Sequence, residues 1–281
     1  MLPKKLAELD RQNAWLEAQQ PIDTDIERNV WAKFQIDWNY HSNAMEGNTL
    51  TYGETERLIQ RGITAKGKPL KDHLEITGHD AIIRTISSMA RERYPFTLSD
   101  IRNLYRQLLG QAYNAPAVNP DGSMGTKRIK VGEFKSTPNH VELPDGSIFR
   151  YAAPEEVPAL MTDLMDWLRE QDARVVRKET HALDVAADFH YQFVRIHPFD
   201  DGNGRLARIL MNLILVHHGY LVSIIPTDEK ALYLDALTQA DRTGDTLALK
   251  IFLVNTVLPQ YRLFERAIRG ERIHEPRGED D

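Results

Sequence analysis

Two apolar helical patterns, interrupted by one short polar stretch, constrain this chain more than any other feature. Ala182, Val185, Ala186, Phe189 and Phe193 recur at i, i+3, i+4, i+7 and i+11, the spacing of a buried helix face. Leu206, Ile209, Leu210 and Leu213 repeat the pattern and stop near Gly219. Between them runs His197-Pro198-Phe199-Asp200-Asp201-Gly202-Asn203-Gly204-Arg205-Leu206-Ala207-Arg208. Pro198 ends the first helix, because proline disfavours helical backbone in the residue before it. Gly202-Asn203-Gly204 then permits unusual backbone angles just ahead of the second helix.

Such a junction reads as an anion site. Free N–H groups at a helix start, preceded by glycines, point at negative charge. Arg205 and Arg208 lie three apart in the first turn, on one face. Two cations at the positive end of a helix dipole are misplaced unless an anion is expected. A polyphosphate would satisfy all of these groups, and Asp201 beside it suits a Mg2+ that shares its coordination with phosphates. His197, at the loop's entrance, would take a proton near neutral pH.

The stretch resembles the signature of the Fic (Fido) family, HxFx(D/E)GNGRxxR, with every specified position filled. The resemblance implies that His197 is the general base that activates a target hydroxyl and that Asp201 holds Mg2+. It also implies that Gly202, Asn203 and Gly204 form the anion hole and that Arg205 and Arg208 bind the nucleotide phosphates. The activity it implies is protein adenylyltransfer, moving AMP from ATP to a Ser, Thr or Tyr of a target protein or of the chain itself. The family's Doc-type kinases depart from GNGR in this loop, and this chain does not.

A second segment, Ser42-Asn43-Ala44-Met45-Glu46-Gly47-Asn48, resembles the inhibitory motif (S/T)xxxE(G/N) of the same family. Ser42 and Glu46 are four apart on one helix face. The resemblance implies that Glu46 reaches Arg208. A carboxylate there competes with the γ-phosphate for the guanidinium, misplaces the α-phosphate and gives autoinhibition.

The 281 residues suffice for one large or two modest domains, and a net charge of −6 gives no general basic field for nucleic acid. With no cysteine, disulfides, zinc–thiolate sites and thiol catalysis are excluded. Met1 to Asp10 lacks a signal-like apolar region, and no run would span a bilayer, so the expectation is a cytoplasmic protein with no membrane partner.

Elsewhere, Thr24 and Glu27 read as a capping box, followed by Ile26, Val30, Phe34 and Trp38 on one helical face. Asn114 to Gly125 reads as a loop. Ile129, Val131 and Phe134 suggest a strand, and Val141 and Leu143 lead through the turn Pro144-Asp145-Gly146 to Ile148-Phe149. This small hairpin resembles the Fic flap, which lines up a target segment by main-chain pairing. The resemblance would put Val131, Gly132, Glu133 and Phe134 close to the nucleotide. It would put Tyr233, Leu234 and Asp241, on the helix after Pro226, around the adenine. His190 reads as a packed, hydrogen-bonded histidine, and His217 and His218 as aids to a helix C-terminus. Leu247 to Val257 reads as the last core helix, and the chain from Gly270 as a charged tail.

The expected fold is all-α, a Fic-type helical bundle with one small β-hairpin. Residues 1–95 would form an N-terminal helical region carrying the inhibitory glutamate, 96–258 the catalytic domain, and 259–281 a helix end and charged tail. Three other functions stay open: a phosphodiesterase that removes AMP from proteins with the same site, transfer of another phosphate-linked group, and a non-catalytic nucleotide-binding regulator. Trp and Leu on the N-terminal helices would serve a homodimer or the core equally well.

Overall fold

The computed structural model describes residues 1–91, 96–118, 123–142 and 148–273. Five helices come first: α1 (Leu2–Glu17), α2 (Thr24–Ala44), α3 (Tyr52–Arg61), α4 (Leu70–Arg91) and α5 (Leu98–Leu109). Two antiparallel ribbons follow, β1 (Tyr113–Val118) with β2 (Met124–Ile129), and β3 (His140–Glu142) with β4 (Ile148–Arg150). Then come α6 (Val157–Val176), α7 (Ala182–Ile196), α8 (Asn203–His217), a 3-10 turn at Thr227–Glu229, α9 (Lys230–Thr243) and α10 (Leu247–Ile268). The all-α class holds, and one hairpin becomes two.

The centre of the bundle is α8. Leu206, Ala207, Ile209, Leu210 and Met211 have no solvent exposure, and even its first polar residues are buried. Each buried Leu, Ile and Met here contributes about 1.5–3 kcal/mol of hydrophobic stabilisation. One apolar cluster runs from Leu9 and Phe34 through α5, α6, α7 and α8 to Phe264. The Tyr261 hydroxyl ties α10 to α1 through Asn13 (2.8 Å) and accepts the Leu221 N–H. Where α4 crosses α5, a Cβ on Gly78 would stand 2.6 Å from the Leu108 carbonyl oxygen, so only glycine allows the approach.

Several local expectations change. Asn114 to Gly125 is not all loop, since β1 from Asn114 onward and the start of β2 lie within it. Pro116, opposite Thr126, is tolerated because a two-stranded ribbon leaves one edge without ladder bonds. Val131 to Phe134 forms a turn beyond β2, not a strand. The N-cap of α2 is Asp23, which accepts the Asp25 and Ile26 N–H groups; Thr24 is already helical. The last helix continues past Val257 and through Pro259 to Ile268. The Pro144-Asp145-Gly146 turn and the tail beyond 273 lie outside the described residues. Among the described residues no helix is long and apolar enough to cross a membrane.

Candidate active site

α7 ends at Ile196, and His197 turns the chain in the left-handed conformation (φ 49°, ψ 60°). That costs a non-glycine residue on the order of 1–2 kcal/mol and is held by its surroundings. The Lys135 N–H donates to Pro198 O (2.9 Å), and Lys135 Nζ donates to Ile196 O (3.2 Å). Phe199 is fully buried and stacks on Tyr105 at 3.9 Å. The Asn203 side chain clips the loop, accepting Phe199 N–H (3.0 Å) and donating to Phe199 O (2.8 Å). Asp200 pairs with Lys127 at 2.6 Å. Gly202 caps α8 at φ 73° with no side-chain cap, which leaves the first N–H groups of the helix for a ligand.

The two arginines part company. Arg208 Nη2 donates to Glu46 Oε1 (2.8 Å) and to Ser42 O (2.8 Å), and Arg208 Nε donates to Ser42 Oγ (3.0 Å). Arg205 turns inward at 2 % exposure, with Nη1 3.0 Å from Glu75 on α4 and Nη2 3.8 Å from Asp201. Asp201 accepts the Tyr113 hydroxyl and the Gly202 N–H (2.6 Å). The motif implied that Glu46 reaches Arg208, and the two are in contact; the Ser42 contacts with Arg208 come in addition. A shared phosphate-facing side for both arginines is not what forms, because α8 is enclosed and Glu75 waits on its inner face.

One cleft collects Glu46, His197, Asn203, Gly204, Arg208, Tyr233 and Leu234, joined by Met45, Tyr151, Val194, Lys230 and Leu237. Asp201, Gly202, Arg205, Asp241 and the segment 131–134 are not in its lining. Asp241 instead accepts the Tyr191 hydroxyl (2.9 Å) and pairs with Arg195 (3.1 Å). Gly132 O accepts Arg102 Nε (2.9 Å), Glu133 is exposed, Val131 is half-buried, and Phe134 packs 5.6 Å from Phe199. This turn buttresses the loop from behind. Tyr233 is buried and hydrogen-bonded to His190 Nε2 (2.8 Å), so His190 is the packed histidine the sequence suggested.

Sequence reasoning missed Tyr151 and Lys230. The Tyr151 ring, just after β4, stacks on the His197 imidazole at 3.9 Å and 19°. Lys230, the first residue of α9, donates to Met45 O (2.5 Å). The nearest signals were their places beside the hairpin and after Pro226. A Cβ on Gly204 would lie 2.5 Å from Glu46 Oε1, so a side chain there would push the Glu46 carboxylate off this helix start.

Electrostatics follow from this packing. Burial, helped by the Lys135 charge, pulls His197 down to about 4 against the Val194 carbonyl and the Glu46 and Asp201 carboxylates. It is therefore neutral and able to accept a proton at neutral pH. Burial works to raise the Glu46 carboxyl, but Arg208, with help from Arg205, outweighs it and lowers it below the ordinary range. An ionised carboxylate thus sits against Arg208 in the cleft, beside the start of α8.

The Fic/DOC family model matches residues 95–215. Among curated relatives, protein adenylyltransferase fic-1 of Caenorhabditis briggsae is 34% identical over 204 residues, 72% of this chain and 36% of that protein. Protein adenylyltransferase Fic of Drosophila willistoni is 33% identical over 245 residues, 86% of this chain and 44% of that protein. The chain thus spans less than half the length of these relatives. A solved Fic-1 fragment from Caenorhabditis elegans superposes with a TM-score of 0.74 at 25% identity, covering 96% of this chain and 72% of that one. A Fic-domain signaling protein from Bacteroides thetaiotaomicron superposes with a TM-score of 0.86 at 34% identity, covering 97% of this chain and 100% of that one. Matched over the whole of that bacterial protein at 34% identity, and with the Fic/DOC family model falling on its α7–α8 segment, the chain belongs to the Fic/DOC family.

Proposed function

We propose that this chain transfers AMP from ATP to a hydroxyl side chain of a protein, and that Glu46 holds it in an inhibited state. The observation that carries the reading is the Glu46–Arg208 pair at 2.8 Å in the same cleft as a neutral His197. ATP phosphates would rest on the first N–H groups of α8 and on Arg208 once Glu46 withdraws. A target hydroxyl would enter beside Tyr151. Its oxygen would attack the α-phosphorus while an imidazole nitrogen of His197 accepts its proton. The bond from the α-phosphorus to the bridging oxygen breaks, and pyrophosphate leaves.

Asp201 fits a Mg2+ shared with phosphates, because it is a lone oxygen donor with a side chain 35% exposed, whereas Asp200 is enclosed and paired with Lys127. Such an ion would neutralise the charge of the phosphates when bound. Arg205, held between Glu75 and Asp201, would fix the direction of the Asp201 carboxylate rather than grip ATP itself. Residues 1–95 would act as the inhibitory unit on a catalytic domain formed by 96–258.

A second reading rests on the ionised Glu46 lining the cleft beside His197: the carboxylate would orient a water to remove AMP from a modified protein. Label transfer from α-phosphate-labelled ATP separates the two. Protein-bound label with Glu46→Gly, lost again with Glu46→Gly/His197→Ala, supports transfer. AMP release from a pre-modified protein by the wild type, lost with Glu46→Gly, would replace it with removal.

A further inference from the structure

Away from the cleft, at the far end of α8, three ligating side chains meet. Asp172 of α6, His217 and His218 each offer one atom, and all three lie within 4.8 Å of one another. It is the one such convergence among the described residues. His218 Nε2 stands 2.8 Å from Asp172 Oδ1, and His217 Nε2 stands 3.6 Å from Asp172 Oδ2.

We propose that Asp172, His217 and His218 form a site for a divalent transition-metal ion of the Zn2+ class, unrelated to the nucleotide cleft. Consecutive side chains on a helix ordinarily diverge. Here they converge because His217 ends α8 and His218 is its cap, with non-helical backbone (φ −93°, ψ 12°). Their rings stand 5.0 Å apart and nearly perpendicular (81°), so both Nε2 atoms face the one carboxylate. A tetrahedral ion with ligand bonds of about 2.0–2.1 Å sets its donors roughly 3.4 Å apart. The two separations, each to a different oxygen of Asp172, lie on either side of that value.

Charge and access agree. The negative end of the α8 dipole favours a cation. The Asp172 and His217 side chains are 33% and 21% exposed, so an ion can enter and keep a water as its fourth ligand. Two imidazoles and one carboxylate suit Zn2+, Co2+ or Ni2+ rather than Mg2+ or Ca2+, which prefer oxygen alone. The ion would clamp the C-terminus of α8 to α6.

The test uses the full chain without a polyhistidine tag, stripped of metal and titrated with Zn2+ by calorimetry and with Co2+ by visible absorption. The expected result is one saturable ion per chain and an intense tetrahedral Co2+ spectrum. Zn2+ at a hundredfold excess over Kd should raise Tm by about 5 °C. Asp172→Asn and His218→Ala, outside the cleft, should each weaken binding at least ~10-fold and leave ATP binding unchanged. Absence of saturable binding, or equal affinity in wild type and both variants, overturns the proposal.

Discussion

Removing the Glu46 carboxylate is the perturbation whose size the structure sets most directly. Arg208 donates to Glu46 Oε1, Ser42 O and Ser42 Oγ, and also bonds the Tyr233 side chain. Glu46→Gly removes only the first, a hydrogen bond between charged partners whose net worth is about 1.5–3 kcal/mol. At about 1.4 kcal/mol per factor of ten, the fraction of molecules with Arg208 free for phosphate should rise roughly 10- to 150-fold. Transfer at subsaturating ATP should rise by the same factor, measured as initial rates of protein-bound label from α-labelled ATP. Calorimetry should show tighter ATP binding alongside. Glu46→Gln, which keeps the shape and loses the charge, should give a smaller rise. If Glu46→Gly changes neither quantity by more than twofold, Arg208 is not the group that limits the site, and the inhibitory reading fails.

Other consequences are open to direct measurement. His197→Ala in the Glu46→Gly background should lower transfer by about 10²–10⁴-fold while ATP still binds; unchanged transfer would move the base elsewhere. His190 and His197 are held near 4, and His79, walled in by burial and the Arg208 and Arg205 charges, falls well below 6.5. Between pH 6.5 and 4 the unfolded chain therefore binds protons that the native chain does not, and stability falls as pH falls. At pH 5.5 His190 and His197 should each remove about 1.2 kcal/mol relative to neutral pH, with His79 acting in the same direction, seen in urea titrations; a flat profile down to pH 5 would contradict it. Glu75→Gln takes the charged partner from the buried Arg205 and should cost about 1–3 kcal/mol of stability. If melting curves show no loss, Arg205 is held chiefly by other groups.

The signature loop was legible because its chemistry is local. A proline, two glycines and two apolar helical patterns fix a helix–loop–helix wherever the chain goes next. Ser42 and Glu46 were legible for the same reason, as residues one turn apart. The fate of Arg205 was not, since a helix start shows which residues share a face but not that α4 will bring Glu75 to it. The first ribbon was hidden by Asn114 and Pro116, which signal a turn in sequence yet are harmless on a strand with one free edge. Tyr151 and Lys230 belong to the cleft only through tertiary placement, and no period or spacing announces them. Asp241 carried no local mark that it would turn to Arg195 and Tyr191 rather than the cleft.

How Glu46 would leave Arg208 in the proposed cycle follows from what holds its backbone. α2 is anchored by Phe34, Trp38, Asn39, Ser42 and Asn43, each 4% exposed or less. Beyond its end, the Asn48 side chain donates to Asp72 O (2.9 Å), and Asp72 Oδ2 accepts Thr49 N–H (2.9 Å). On the other flank Met45 O takes the Lys230 ammonium. Shifting the segment would break all of these, at about 0.5–1.5 kcal/mol for each neutral bond and more for the charged ones. Rotating the Glu46 side chain breaks one contact, and that side chain is already 37% exposed. Rotation is therefore the cheaper path. Asp72→Ala, which loosens the segment without touching the cleft, should lower Tm and change transfer by less than the tenfold that about 1.4 kcal/mol brings. A larger rise in transfer would mean that the whole segment moves when ATP binds.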